Sequence, residues 1–424
     1  MTLARPRYDS IGVGIGPFNL SAAALAATLP ELKTLFVERA RSFAWHPGMM
    51  ISGATIQTSH LKDLVTLADP TSPYSFLSYL HAKKRMYRFI TADFDSVERA
   101  EFNDYFRWVS ERLPNVQFGY TVESIDFDGS MFILNDDERY TSRSLILATG
   151  LSPDIPDCAL PFVGSSVFHS SSLLHGATDW SGKRVAIIGG GQSGGEIFSF
   201  ALDNDDRMPA EVHWISSRSN FLPLDDSPFT NELFTPGYSS YFFDLPLDKR
   251  LFSLDGQKLA SDGISLNLLR HIYRRLYALE FVRKSRPMIG LKPCTRLVDI
   301  QRGAGHGEFV LELQHGITED RNAITADVVV LATGYRYRMP AFLSRMKSRI
   351  PCKHTGYHYH PDFSIQWDGH PRNKIYVQNA ARNARGIADP NLSLMAWRSA
   401  NIINDLVGRQ HYTIQDSKDL PLWY

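Results

Sequence analysis

Two glycine clusters in this chain have the residue types and spacing of dinucleotide binding. The first, Gly14-Ile15-Gly16-Pro17-Phe18-Asn19, follows an apolar run at 9–13 and precedes an Ala/Leu-rich stretch at 20–29 with high helix propensity. In a strand–turn–helix unit the first glycine permits the tight turn, and the second lets a pyrophosphate approach the backbone. The helix N-terminus then offers free N–H groups and a positive dipole end to the phosphates. Asn19 occupies the third position, normally Gly or Ala, so the fingerprint is imperfect. A second apolar run ends at Glu38, 24 residues after Gly14, where an acid bonds a ribose hydroxyl. The second cluster, Gly189-Gly190-Gly191-Gln192-Ser193-Gly194, follows an apolar strand and carries all three glycines. The next strand, 212–215, ends in Ser216-Ser217-Arg218-Ser219 with no acid at its tip. An acid there would repel a 2′-phosphate, whereas Ser and Arg bind one, which favours NADPH over NADH.

Two dinucleotide sites in one chain imply electron traffic, with NADPH delivering hydride to a flavin. A disulfide reductase needs a redox-active cysteine pair, and Cys158, Cys294 and Cys352 form no C-x-x-C. An NADPH-dependent flavin reductase serving a protein partner needs no such pair and stays open. A monooxygenase passes the electrons to dioxygen and relies on positioning and exclusion of water more than on side-chain acids. His354, His358 and His360 lie close in sequence but read as a loop or strand edge, and no metal is expected.

The elements that must position these residues predict an α/β fold: two dinucleotide-binding (Rossmann-like) domains with a small helical substrate domain. Residues 1–168 and 331–424 are assigned to the flavin-binding domain, and 169–220 and 286–330 to the NADPH-binding domain. Residues 221–285 break the β-α-β rhythm and form the helical substrate-binding part. The aromatic and cationic run FAWHPGMM (43–50), followed by 56–65, suits a loop over a cofactor. Residues 101–112 read as a helix with Phe102, Tyr105, Phe106 and Val109 on its core stripe. The stretches 116–120, 122–127 and 131–134 read as successive antiparallel strands. Two Ala-Thr-Gly turns, 148–150 and 332–334, are the expected crossings between the nucleotide domains. A helix within 261–283 sets Leu266, Leu269, Ile272, Tyr273, Leu276 and Tyr277 at helical spacing, and another at 393–407 closes the chain.

The chain has 424 residues, with Lys plus Arg and Asp plus Glu both at 45. That balance excludes a basic nucleic-acid footprint or an acidic tail. No run approaches the roughly 18 apolar residues of a membrane span, and Asp9 and the glycines interrupt any apolar signal core. A cytoplasmic protein with reduced thiols is expected.

These residues match a family closely. The chain resembles the N-hydroxylating flavoprotein monooxygenases of siderophore biosynthesis, the lysine, ornithine and diamine N-hydroxylases, from Tyr8 to about Val407. The resemblance rests on GIGPFNL (14–20), FAWHPGM (43–49), QTSHLKDLV (57–65), DPTSPYSF (69–76), GGGQSGGE (189–196), DDSPFTNELF (225–234), LATGY (331–335) and LSLMAWRSA (392–400). Asn19 in the third glycine position is itself the family's form. The resemblance implies that FAD sits on the N-terminal fold, on Gly14, Gly16, Pro17, Phe18, Asn19 and Glu38, with Trp45, His46 and Gln57 near the isoalloxazine. It implies NADPH on Gly189, Gly191, Gln192, Ser193, Gly194, Glu196 and Arg218. Reduced flavin then adds O2 to form a C4a-hydroperoxide, whose distal oxygen passes to a terminal primary amine. That amine must react in its neutral form, which costs about 4–5 kcal/mol at neutral pH for a pKa near 10.4, and a dry pocket supplies part of this. Gln57 and Asn231 match catalytic positions, and Lys62, Asn231, Gly263 and Ser393 match substrate-contacting ones. The family commonly forms tetramers.

One departure bears on the substrate. Where the ornithine enzymes have Ala-Thr-Asn, this chain has Ser261-Asp262-Gly263, so a contact from that Asn side chain is lost while a backbone carbonyl at Gly263 remains. Lys62 at a carboxylate-binding position is natural for lysine and awkward for a diamine unless Asp63 or Asp262 compensates. The chain as a whole looks most like the cadaverine N-hydroxylases of desferrioxamine pathways. Resemblance therefore favours cadaverine, with L-lysine as the alternative.

Overall fold

The structure, a computed structural model, describes residues 7–176, 178–283, 287–305, 307–353, 356–414, 421 and 423. Strand β1 (Arg7–Val13) lies inside the first sheet, parallel to β2 (Thr34–Glu38) on one side and to Asp137–Leu147 on the other. Ile375–Val377 continues in parallel beside the end of Asp137–Leu147, so Val13, Leu147 and Val377 finish side by side. Helix α1 (Pro17–Ala26) joins β1 to β2, and every one of its residues is buried. Its apolar residues surround two polar ones, Asn19 and Ser21, which are buried with hydrogen bonds to Gly14 O and Leu64 O. Its small Ala22, Ala23 and Ala24 let the closing helix Met395–Val407 lie against it, with Ile402, Ile403 and Leu406 in the same core.

The expected antiparallel meander needs one correction. Val116–Phe118 pairs in parallel with the outer edge of β2, Phe36 opposite Val116. A parallel pair requires a long crossover, and helix Arg99–Ser110, which precedes this strand, provides it. Phe102, Tyr105, Phe106 and Val109 of that helix are fully buried. The antiparallel part is made by Ile125–Phe127, Phe132–Leu134 and the start of Asp137–Leu147.

Strand β3 (Arg184–Ile188), helix α2 (Gln192–Leu202) and strand β4 (Glu211–Ile215) repeat the first unit. Their sheet is all-parallel, in the order Met288–Lys292, β4, β3, Val328–Leu331, Val167–His169. A three-stranded antiparallel sheet, Thr295–Arg302, Phe309–His315 and Arg321–Ala326, packs below it. The architecture is α/β with two dinucleotide-binding folds. The chain passes between the sheets just after the two Ala-Thr-Gly turns, where Ser152–Pro153 pairs antiparallel with Tyr335–Arg336. The Asp154 N–H donates to Gly334 O at 2.9 Å and Thr333 Oγ1 to Asp154 O at 2.6 Å. Sequence boundaries at 168 and 331 fall instead within Val167–His169 and Val328–Leu331, both in the second sheet.

Between 228 and 281 the chain is mainly helical, with Pro236–Asp244, Leu247–Gly256, Lys258–Asp262 and α3 (Leu266–Phe281). Helix α3 buries Ile272 and Leu279 in the core that holds Ile197 and Phe198 of α2. Arg275 caps α2 by donating Nε and Nη2 to Leu202 O at 2.8 and 2.6 Å. Tyr273 and Tyr277 are 75% and 59% exposed, because only one side of α3 meets α2. Among the described residues no helix is long and apolar enough to cross a membrane.

Candidate active site

The first glycine turn sits at the C-terminal edge of its sheet. Gly14 has φ +86°, and a Cβ there would stand 2.6 Å from Ala148 O, so turn and neighbouring strand both require glycine. A Cβ on Gly16 would meet nothing within 4 Å, which leaves the space over the start of α1 open. No side chain caps α1, and its first turn carries no acid. Open space over an uncapped helix N-terminus suits a pyrophosphate. Glu38 Oε2 accepts from the Ile15 N–H at 3.0 Å and Oε1 from the Ala40 N–H at 2.9 Å, which fixes the carboxylate at the tip of β2. Along the same edge Gln378 Oε1 and Asn379 Oδ1 are buried without partners, as is Thr58 Oγ1 in the loop after Gln57. Such orphaned acceptors and hydroxyls fit a polar cofactor.

Asn19 and Phe18 face inward. The Asn19 amide donates to Gly14 O at 2.8 Å, Ile146 O at 3.1 Å and Val13 O at 3.3 Å, and its Oδ1 accepts from Gln378 Nε2 at 2.8 Å. It ties the turn to two other strands. Phe18 packs under Arg398, whose guanidinium lies 4.3 Å from the ring and pairs with Asp389 in full burial.

The loop after β2 is held by aromatics. Trp45 N–H donates to Asn103 Oδ1 at 2.8 Å, and the ring meets Phe106 edge-on at 5.5 Å. His46 adopts a left-handed backbone, φ 48°, with its ring 5.2 Å from Trp45. The residue as a whole is exposed, while protein crowds around its imidazole. Burial, aided by the charge of Arg99, lowers its pKa to about 4, so the imidazole is neutral near pH 7. Gln57 is exposed and bonds no described residue.

Lys62 is half-buried and makes no ion pair among the described residues; burial lowers its pKa, and the charge of Glu232 opposes that shift. Glu232 directly follows Asn231, so these two candidate positions share one electrostatic environment. Phe234, Ala260 and Leu394, close in sequence to Asn231, Gly263 and Ser393, lie in one buried cluster that gathers those segments. Asn231 itself is exposed and donates Nδ2 to Asp226 O at 3.1 Å. Ser393 is buried and donates to Asn391 Oδ1 at 2.6 Å. Gly263 lies against the backbone of Leu224, with Pro223 O 2.6 Å from where a Cβ would be. No side chain fits there.

Both acids that might have balanced Lys62 are engaged elsewhere. Buried Asp63 accepts from Phe76 N at 2.6 Å, Thr66 N at 2.7 Å, Thr66 Oγ1 at 2.8 Å and Val65 N at 2.9 Å. Asp262 faces Arg382 at 3.5 Å and accepts from Ser261 Oγ at 2.9 Å.

At the second turn Gly191 is the N-cap of α2, again without a side-chain cap, between Gly189 and Gly194. The Ser193 hydroxyl has no partner among the described residues. Arg218 donates Nη1 to Asp262 O at 2.8 Å and pairs with no described carboxylate, so its charge is free for a phosphate. Gln192 and Glu196 point elsewhere: Gln192 Oε1 accepts from the Ser265 N–H at 2.8 Å, and its Nε2 donates to Glu196 Oε1 at 3.0 Å. Glu196 pairs with Arg99 at 2.8 Å. Arg99 escaped the sequence reading, although a cation at a helix N-terminus opposes the dipole and signals a tertiary partner. No metal-binding group of His, Cys, Asp and Glu occurs among the described residues; His354 lies outside them.

Comparison with known proteins identifies the family. The L-lysine 6-monooxygenase/L-ornithine 5-monooxygenase family matches residues 6–337. The L-lysine N6-monooxygenase of Escherichia coli is 42% identical over 421 residues, 98% of each chain. The crystal structure of the FAD-bound cadaverine monooxygenase of the desferrioxamine pathway from Erwinia amylovora superposes with TM-score 0.90 at 32% identity, over 98% of each chain. An ornithine N-hydroxylase of Kutzneria with reduced FAD, NADP⁺ and L-ornithine gives 0.85 at 28% identity, over 95% of this chain and 99% of that one. The chain therefore belongs to the lysine/ornithine monooxygenase family, and it is an FAD- and NADPH-dependent flavoprotein N-hydroxylating monooxygenase.

Proposed function

We propose that the enzyme hydroxylates the terminal amine of L-lysine for hydroxamate siderophore synthesis. The carrying observation is Lys62, a half-buried cation with no ion pair among the described residues and within the electrostatic influence of Glu232. An α-carboxylate pairs with Lys62 and an α-ammonium with Glu232, so a zwitterionic head group meets both signs. The sequence match of 42% to a lysine N6-monooxygenase supports the same reading.

The first glycine turn would hold FAD and the second NADPH, which would supply the electrons that activate O2 for transfer of one oxygen atom to the amine. Trp45, His46 and Gln57 are proposed to border the ring system, and His46, neutral at pH 7, adds no charge there. Ser193 and Arg218 are proposed to hold the NADPH phosphates, and Asn231, Gly263 and Ser393 the substrate. The terminal amine must react in its neutral form, which a water-poor pocket around that end of the substrate would favour.

Cadaverine is the second reading, favoured by the TM-score of 0.90 to a cadaverine monooxygenase. Its far ammonium would have Glu232 but would meet Lys62 as a like charge, with Asp63 and Asp262 both engaged elsewhere.

The test is hydroxylamine formed per NADPH consumed, with lysine, cadaverine, putrescine and ornithine side by side, in wild type and Lys62→Met. Loss of one charge-assisted contact raises KM for lysine roughly 10- to 150-fold, while cadaverine turnover holds or improves. Coupled product from cadaverine alone overturns the lysine assignment. NADPH oxidation with artificial acceptors and no hydroxylamine from any amine would point to a reductase serving a protein partner.

A further inference from the structure

Arg99 and Glu196 form an ion pair with side chains 14% and 5% exposed, one from the helix Arg99–Ser110 and one from α2. Arg99 Nη2 meets Glu196 Oε1 at 2.8 Å and Nη1 meets Oε2 at 3.3 Å. The same Nη1 donates to Met49 O at 2.8 Å, in the loop that follows β2. Met49 in turn lies in the core of the second fold, with Leu173, Ile197 and Phe198. On the other side, Glu196 Oε1 holds Gln192 Nε2, whose Oε1 takes the Ser265 N–H that opens α3. One carboxylate thus connects the flavin-side loop, the second glycine turn and the helical segment.

We propose that Arg99 and Glu196 are positioning residues for hydride transfer, which set how the second glycine turn faces the first. The proposal rests on the assignment of FAD and NADPH to these two turns. Neither charge needs to touch a cofactor. A bidentate, desolvated pair resists sliding and rotation in a way that an apolar contact does not, and reactions between bound groups are sensitive to displacements of an ångström. Glu196 therefore acts through Gln192 and the start of α2, and its carboxylate is committed to protein groups.

The experiment follows the two half-reactions of the holoenzyme separately. In Glu196→Gln, which keeps the shape and removes the charge, anaerobic flavin reduction by NADPH should slow about tenfold or more. Reoxidation by O2 of enzyme reduced with dithionite, in the presence of amine, should stay at the wild-type rate. In the protein without cofactors, the Ser265 amide should exchange with deuterium faster than in wild type. The exchanged pair Arg99→Glu/Glu196→Arg should recover part of the reduction rate, and Arg99→Lys carries the same test if Glu196→Gln fails to fold. Wild-type flavin reduction in both Glu196→Gln and Arg99→Lys, with only a lowered melting temperature, overturns the proposal and leaves the pair a structural one. If wild type itself is not reduced by NADPH, the assignment of the two turns fails instead.

Discussion

Replacing Asn19 with glycine would complete the G-x-G-x-x-G pattern and should nevertheless destabilise the protein. The Asn19 amide has two hydrogens, best satisfied by Gly14 O at 2.8 Å and Ile146 O at 3.1 Å, and its oxygen accepts from Gln378 at 2.8 Å. Each such bond contributes about 1 kcal/mol net. Gln378 is 1% exposed, so its amide would lose a partner in the interior, where an unmet donor costs about 1–3 kcal/mol. Glycine within α1 adds about 1 kcal/mol. Because the first two terms overlap, the expected loss is about 3–5 kcal/mol. Urea unfolding of the protein without cofactors, at matched m-values, measures it. Asn19→Ala isolates the amide from glycine's flexibility and should show all but about 1 kcal/mol of the effect. A loss below about 1 kcal/mol in Asn19→Gly would refute the reasoning, since water would then replace the amide at no cost.

Gly14→Ala and Gly16→Ala should behave oppositely: the first strains a φ of +86° against Ala148 O and lowers stability, while the second meets no protein atom. Gly16→Ala should leave unfolding within about 1 kcal/mol yet weaken FAD binding, read from cofactor retention; equal retention in Gly16→Ala and wild type would contradict the open cradle. For His46, the folded pKa of about 4 lies below the ordinary 6.5, so the unfolded chain takes up the proton first as pH falls. Its contribution to stability is complete above pH 6.5 and fades between 6.5 and about 4, and His46→Gln should flatten that part of a melting-temperature profile. Identical acid slopes in the two proteins would contradict this. Gly263→Ala should cost about 1–3 kcal/mol, because its Cβ would overlap the Leu224 backbone, and unchanged melting would show that Pro223 and Leu224 yield freely.

Local physics made much of this protein legible from its residues. The strand–glycine–helix units at 9–26 and 184–202, the buried stripe of Arg99–Ser110 and the closing helix all follow from backbone conformation and hydrophobic period, which act within a few residues. Composition, and the presence of Arg218 rather than an acid after the strand 212–215, likewise belong to the chain itself. Partner choice did not. Asn19 could be placed on the turn, but its bonds to Ile146 and Gln378 span 127 and 359 positions. The parallel pairing of Val116–Phe118 depends on a crossover helix packing on the sheet, and the meander pattern of polar breaks says nothing about that. Arg99 and Glu196, 97 residues apart, meet only once both folds are assembled. Asp63 and Asp262 could not be told from acids available to a diamine until their donors and Arg382 were in place. A sequence determines which side chains carry charge or hydrogen-bonding capacity. Which of those groups remain free for a substrate is decided by tertiary packing, because burial forces each polar group to take whatever partner the fold brings within reach.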